Sequence, residues 1–222
     1  FSQASVIIEY PSFNRLRIMI KCNITACGII VSSAQEKTNK EGGKFLAFTI
    51  VVPIEGRDKS VKELHIGVTT EGDASTAAKY AAGKKVTIQG NLYIKKVEDT
   101  LYYNLRAEGD IKENDTSQAD KIEGKMEFKG KIGKKGLETY PTKNGGTFKT
   151  FSAFSADKDG EKRAFTWVKF TLNQFLDYAA KAGEYVEVHG DLLLDVYKNS
   201  LQIGCCVCTI CPWDLNVSGN AN

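Results

Sequence analysis

Residues 178–194 read Tyr-Ala-Ala-Lys-Ala-Gly-Glu-Tyr-Val-Glu-Val-His-Gly-Asp-Leu-Leu-Leu, and the prediction of the fold starts from these residues. Its first residues predict the end of an amphipathic helix, which Gly183 closes because glycine readily adopts the left-handed backbone of a helix C-cap. Val186 and Val188 then alternate with polar residues, which is the period of a half-buried strand. Gly190 lies inside this strand, where a missing side chain indicates a bulge or a sharp bend.

The same pattern occurs once before, at residues 80–94, which read Tyr-Ala-Ala-Gly-Lys-Lys-Val-Thr-Ile-Gln-Gly-Asn-Leu-Tyr-Ile. Gly83 and Gly90 precede Gly183 and Gly190 by 100 residues each. The chain therefore contains one structural unit twice. A length of 222 residues provides for two units of roughly 90–100 residues, each large enough for a core of its own.

Each unit is predicted to run strand, strand, strand, helix, strand, strand. In the second unit the helix is predicted from the apolar spacing of Leu172, Phe175, Leu176 and Ala179, and in the first from Ala74, Ala77, Ala78 and Ala81 behind an Asp73 N-cap. A helix between the third and fourth strands, with a glycine inside the first strand, is typical of the OB-fold. The predicted fold class is therefore all-β with short helices, as two tandem OB-fold five-stranded barrels. Another small five-stranded barrel is the alternative.

The chain is predicted to have five parts. They are an N-terminal extension strand or hairpin (1–20), the first OB-fold (21–111), an acidic, polar linker (112–122), the second OB-fold (123–212) and a C-terminal tail (213–222).

Composition is that of a soluble globular protein, with 42% hydrophobic and 26% charged residues. No apolar run approaches the roughly 18–20 residues that a membrane span needs. The net charge of +3 does not by itself indicate a polyanionic partner, but the run from Lys121 to Lys149 holds eight lysines and three glutamates. Such a local basic surface is typical of proteins that hold phosphate backbones. A solvated lysine-rich surface without a ligand is the alternative.

Four of the six cysteines lie in Cys-Cys-Val-Cys-Thr-Ile-Cys, at residues 205–211. The apolar neighbours predict a strand here, with Cys206 and Cys208 on one face and Cys205 and Cys211 roughly on the other. A zinc knuckle needs a turn that brings its ligands together, so we predict free cysteines that act as small apolar residues, no metal and no cofactor. Free thiols favour a reducing, cytoplasmic location.

Residues 137–154 read Leu-Glu-Thr-Tyr-Pro-Thr-Lys-Asn-Gly-Gly-Thr-Phe-Lys-Thr-Phe-Ser-Ala-Phe, and with residues 170–192 they resemble the bacterial and phage single-stranded DNA-binding (SSB) proteins. In that family a similar first loop precedes an apolar second strand, and a helix ending in Tyr-x-x-Lys-Gly precedes Val-x-Ile/Val-x-Gly-x-Leu. The matching positions here are Phe170, Tyr178, Lys181, Gly183, Val186, Val188, Gly190 and Leu192. The resemblance implies an OB-fold that binds single-stranded DNA. Ordinary members carry one OB-fold per chain and an acidic C-terminal tail, whereas this chain repeats the fold and ends Asn216-Val-Ser-Gly-Asn-Ala-Asn.

Binding of single strands without sequence preference needs aromatic rings for the bases and cations along the backbone. In the third strand of the second unit Phe165, Trp167 and Lys169 alternate onto one face; a core role for both aromatic residues, with Phe170 on the outside, is the alternative. The other candidate binding residues are Tyr140, Lys134, Lys135, Lys143 and Phe148 around the basic loop, and Tyr93, Lys95 and Tyr102 in the first unit.

The predicted function is sequence-independent binding of single-stranded DNA in replication, recombination or repair, by aromatic stacking and lysine–phosphate contacts. An OB-fold protein-interaction or oligomerisation module without nucleic-acid binding is one alternative, and an RNA-binding protein is another. His65 and His189 lack any nucleophile or metal-ligand motif, so no enzyme and no catalytic residues are predicted. The predicted partners are single-stranded DNA, replication or recombination proteins, and a second copy of the chain in a homo-oligomer, a dimer with four OB-folds.

Overall fold

The computed structural model describes residues 20–142, 144–159, 162–173 and 175–214. The predicted N-terminal extension, up to residue 19, and all but the first two residues of the predicted tail lie outside the described residues. In the first half the strands are β1 Ile20–Thr38, β2 Lys44–Glu55, β3 Val61–Glu71, β4 Lys85–Val97, β5 Thr100–Ala107 and β6 Lys112–Asn114. In the second half they are β7 Lys121–Ile132, β8 Glu138–Pro141, β9 Thr147–Asp159, β10 Lys162–Leu172, β11 Tyr185–Tyr197 and β12 Ser200–Pro212.

Each half pairs five long strands into a closed ring. In the first half β1 pairs with β2, β2 with β3, β3 with β5, β5 with β4, and β4 again with β1. The second half repeats this order with β7, β9, β10, β12 and β11. The β3–β5 and β10–β12 pairs are parallel and the other pairs in the rings are antiparallel. This is the strand order of the OB-fold, a small Greek-key barrel.

Alternating apolar residues of these strands fill the interior of each ring. The second half is built around three aromatic side chains with almost no exposed surface, because Phe170 packs against Phe128 and Phe151 with ring centroids 4.8 Å apart in both pairs. Aliphatic residues do the same in the first half, among them Ile24, Ile50 and Ile66. The five strands predicted for each unit lie within these observed strands.

Glycines recur at corresponding places of the two rings, although Gly183 lies in a turn and not at the predicted helix end. Gly83 and Gly183 have φ angles of +89° and +79°, the left-handed backbone that favours glycine. The β11–β12 pairing shifts register between His189 and Gly190, but the extra residue is Cys208, so the bulge lies in β12 opposite Gly190 and not in the strand of Gly190 itself. A Cβ on Gly190 would collide with the carbonyl oxygen of Cys206, and one on Gly90 with that of Arg106.

Neither predicted helix forms as an α-helix among the described residues. Leu172 ends β10, and no helix forms among the described residues between it and Gly183. Asn173 starts a turn instead, since its carbonyl accepts from the amide of Leu176 at 2.9 Å and its side chain from that of Phe175 at 3.2 Å. Phe175 is therefore 86% exposed and not part of a buried stripe.

In the first half the predicted helix is a single 3-10 turn, Ala77–Tyr80. The side chain of Asp73 accepts from the amides of Ser75 and Thr76, which makes a turn before the 3-10 residues and not a helix cap. Tyr80 stacks on Phe48 of the barrel with ring centroids 5.2 Å apart.

The two rings are joined into one sheet by β1 and β7. These strands pair antiparallel from Ile20 opposite Phe128 to Cys27 opposite Lys121. Between the rings, part of the predicted linker forms β6, which pairs with β4. Asp120 then makes an ion pair of 3.1 Å with Lys85, a lysine with only 5% of its side chain exposed. The segment after β5 is therefore packed along the first ring.

Candidate nucleic-acid interface

The candidate site of the second ring is the outer face of β10. Thr166, Val168 and Phe170 point into the barrel and are almost fully buried. The alternate residues point outward, with Phe165 43% exposed and Trp167 53% exposed. Lys169 continues the same row and is exposed. The structure thus places two aromatic rings and one cation side by side on a solvent-accessible strand.

A third ring, Phe154 of β9, completes this cluster. Phe154 lies opposite Trp167 in the β9–β10 pairing, with ring centroids 4.9 Å apart, and its ring is 5.3 Å from that of Phe165. Trp167 also lies over Gly133, where a Cβ would be 3.0 Å from the indole ring. Half-exposed rings that are held by neighbours can offer a face to a base with little loss of side-chain entropy.

A groove of about 730 Å³ runs beside Trp167. Three lysines line it, Lys131, Lys134 and Lys135, together with Phe154 and Ser152. Aromatic surface and ammonium groups are thus brought together at one open depression, which suits a chain of stacked bases and phosphates.

A second aromatic pair lies at the far end of β9. Tyr140 stacks on Phe148 with ring centroids 5.6 Å apart, and both side chains are exposed. Tyr140 was predicted in a loop, but it lies in the short strand β8, which pairs with β9 and sets Tyr140 opposite Phe148. Lys143, predicted for the same site, lies outside the described residues.

The basic run is less available than the sequence suggests, because five of its eight lysines form ion pairs. Lys125 pairs with Asp191, and Lys129 pairs with Glu187 at 3.0 Å, both across the β7–β11 ladder. The remaining pairs are Lys121–Glu123, Lys135–Glu138 and Lys149–Asp177. The hydrogen bond to Asp191 raises the pKa of Lys125, so this lysine stays charged but its charge is already balanced.

Two lysines of the run, Lys131 and Lys134, make no ion pair with any residue that the structure describes, and neither does Lys169. Lys131 lies over the ring of Tyr185, 5.2 Å from its centroid. These three lysines lie at the groove or in the aromatic row.

The candidates of the first ring lie on the hairpin of β4 and β5. Lys95 is exposed and lies opposite Tyr102, which is partly exposed. Tyr93 is also partly exposed and lies between Lys21 of β1 and Asn104 of β5. The neighbouring Tyr103 points inward and burial raises its pKa. Tyr102 is therefore the tyrosine of this pair that a ligand could reach.

Sequence reasoning missed Phe154, Lys131 and Gly133. Phe154 ends an apolar run that reads as core, and its outward direction follows only from the alternation with the buried residues Ala153 and Ser155. Gly133 carries no signal of its own, since it follows β7 and its contact with Trp167 of β10 joins residues far apart in the chain.

The cysteines form no site for a metal ion among the residues that the structure describes. Cys22 and Cys205 are buried, and burial raises the pKa of each thiol to about 12. Cys208 and Cys211 are exposed. The prediction that Cys211 shares the face of Cys205 is wrong, because the register shift beside Gly190 changes the alternation of β12.

No protein-family model matches the chain, and no curated protein matches it in sequence. Solved structures do match. Among them are structures of single-stranded DNA-binding proteins. The protein from Thermus aquaticus has a TM-score of 0.48 at 14% identity, over 90% of this chain and 95% of that one. The small protein from Streptomyces coelicolor has a TM-score of 0.34 at 16% identity, over 43% and 94%. The Plasmodium falciparum protein in complex with single-stranded DNA has a TM-score of 0.34 at 20% identity, over 42% and 95%.

Among the described residues, no helix is long and apolar enough to span a membrane.

Proposed function

We propose that the chain binds single-stranded DNA with little sequence preference. One observation carries the proposal: the outward row of Phe165, Trp167 and Lys169, packed on Phe154 beside a groove lined by lysines. Rings of this kind stack on any base, and cations beside them contact the phosphates, so affinity arises without reading base edges. Replication, recombination or repair is the proposed setting, in the cytoplasm and in a homo-oligomer of tandem chains.

The test is a titration with poly-dT, poly-U and duplex DNA in which tryptophan fluorescence reports binding. The chain has two tryptophans, Trp167 in the row and Trp213, whose ring is 6.1 Å from that of Tyr185. Stacking on Trp167 should quench emission, and Trp213→Phe should retain most of the quench. Strong binding of poly-dT with weak binding of duplex is expected. Equal binding of poly-U would extend the function to RNA, since stacking does not exclude it.

A variant separates binding from stability. Trp167→Ala should weaken binding of poly-dT by about 1–3 kcal/mol, the usual loss for one stacking ring. Because Trp167 is 53% exposed, its removal should cost less stability than the roughly 3–5 kcal/mol of a fully buried ring. Unfolding of the second ring by Trp167→Ala, with normal binding by Trp167→Phe, would remove this row from the site.

A protein-interaction platform is the second candidate. It is favoured by exposed apolar side chains away from the row, Phe175, Val61 and Tyr197. A chain that binds none of the three nucleic acids at low salt would support this second function.

A further inference from the structure

The two rings are related by an approximate two-fold axis. Gly28 lies opposite Val86 in the first ring and Gly130 opposite Val186 in the second, so β1 and β7 correspond at a spacing of 102 residues. Asn23 and Lys125 are also 102 residues apart, so they are counterparts in the two rings. In the β1–β7 ladder these two counterparts lie directly opposite each other. Two antiparallel strands whose counterparts face each other have a two-fold axis at that point.

This axis gives the molecule two related sides. On one, which we call the β10 side, β9 and β10 of the second ring lie against β4 of the first. On the other, the β3 side, β2 of the first ring lies against β11 of the second. On the β3 side Arg57 pairs with Asp195 at 3.4 Å, and Lys62 Nζ donates to the carbonyl oxygen of Asn199 at 2.9 Å.

The aromatic row exists on the β10 side alone. Val68 faces Leu105 as Phe170 faces Cys205, so β3 and β10 also correspond at 102 residues. The counterparts of Phe165, Trp167 and Lys169 are therefore Glu63, His65 and Gly67. Opposite His65 lies Val51, where Phe154 lies opposite Trp167.

The two sides also differ in charge. Glu63 and His65 are exposed, with Oε2 and Nε2 3.5 Å apart. A carboxylate thus replaces an aromatic ring at the position of Phe165, and no lysine replaces Lys169. A phosphate at these positions would meet the Glu63 carboxylate on the β3 side and the Lys169 ammonium on the β10 side.

The hairpins next to these rows differ in the same sense. Lys95 faces Tyr102 in β4–β5, and Asp195 faces Gln202 at the corresponding place of β11–β12. Tyr93 faces Asn104, and its counterpart Leu193 faces Gly204. At these paired positions the β10 side carries aromatic and basic residues from both rings, and the β3 side carries acidic, amide and aliphatic ones. Elsewhere on the β3 side lie the basic residues Arg57, Lys62 and Lys198.

We infer that the chain holds one single strand, not two, along a track on the β10 side that spans both rings. The track runs from Tyr140 and Phe148 past Trp167 to the β4–β5 hairpin with Tyr93 and Tyr102. The β3 side, which would hold a second strand in a symmetric molecule, takes no nucleic acid. This inference rests on the proposed function.

The two-fold axis supplies matched controls for the test. Trp167→Ala is compared with His65→Ala, and Tyr93→Ala with Leu193→Ala, by titration with poly-dT. The first member of each pair should weaken binding by about 5- to 150-fold, the equivalent of one stacking ring. The second member should change it less than about twofold, and all four variants should keep the β-rich circular dichroism of the wild type.

Crosslinking of the wild-type chain avoids any effect of substitution on folding. Photo-reactive iodouridine in an oligo-dT should attach to peptides containing Trp167 and Tyr93, and not to those containing His65 or Leu193. Native mass spectrometry with oligo-dT of about 30 nucleotides, within the combined range of two OB-fold sites, should find one strand bound per chain and not two.

The outcomes separate the two proposals. Absence of poly-dT binding by the wild type overturns the proposed function and the inference with it. Binding by the wild type, with equal losses in both members of a pair or with crosslinks at His65, leaves the function standing and overturns the single track.

Discussion

The salt dependence of DNA binding tests how many lysines are available for phosphate. Each phosphate that a protein neutralises on a single strand lowers log affinity by about 0.7 per tenfold rise in salt. The sequence offers eight lysines between Lys121 and Lys149. If all eight contacted phosphate, the slope would be about −5.6, and affinity would fall roughly 2,000-fold between 50 and 200 mM salt.

The structure predicts a shallower salt slope. Lys131, Lys134 and Lys169 make no ion pair among the described residues, and Lys135 has an exposed, long pair of 3.4 Å with Glu138. The strand would then meet about three or four of these cations, and the slope would lie between about −2.1 and −2.8. Affinity for poly-dT should then fall roughly 20- to 50-fold over the same interval.

Fluorescence titrations with poly-dT at five or more salt concentrations measure the slope, and two lysine variants check its origin. Lys134→Ala should make the slope shallower by about 0.7. Lys125→Ala removes a charge that Asp191 already balances, so its slope should match that of the wild type. A wild-type slope steeper than about −5, or equal effects of the two variants, would refute the assignment of free and paired lysines.

Three further outcomes are expected. Gly133→Val should displace Trp167, since a Cβ on residue 133 would already be 3.0 Å from the indole ring, and titration with poly-dT should show weaker binding. Unchanged affinity and unchanged tryptophan emission would mean that Trp167 stacks equally well in another position. Iodoacetamide at pH 8 should label Cys208 and Cys211 before the buried thiols, and EDTA should leave the melting temperature unchanged; rapid labelling of all six would contradict the burial. Proteolytic cleavage within residues 112–122 should leave two fragments, each with β-rich circular dichroism and a cooperative melt, that co-elute through the joined sheet; if neither folds alone, the rings share one core.

The sequence predicts the strands because their signals are local. Alternation such as that of Val186 and Val188, with Gly83 and Gly183 at the turns, depends only on residues close together in the chain. The repeat adds a second copy of each signal, and the ring order follows from the order of elements. The outward direction of Trp167 is given by the same alternation, once the buried face of β10 is known.

The sequence wrongly predicts a helix after β10 and does not reveal the lysine ion pairs, and these errors have a different cause. The spacing of Leu172, Phe175 and Leu176 suits a helix, but a local Asn173 turn competes with it and leaves Phe175 exposed. The pairing of Lys125 with Asp191 depends on the register of strands 66 residues apart. Pairing between strands so far apart depends on the whole sheet, so no short window of sequence contains it.

The two rings lie in one chain and are joined through the β1–β7 ladder, and this arrangement affects which mutations the protein can accept. In a homodimer every substitution appears in both subunits, so a useful change at one site is also imposed on its mate. A covalent link between the rings removes that constraint and keeps the partner at a high effective concentration however dilute the protein. Each ring can then accept its own mutations, and one can lose a stacking surface that the other retains.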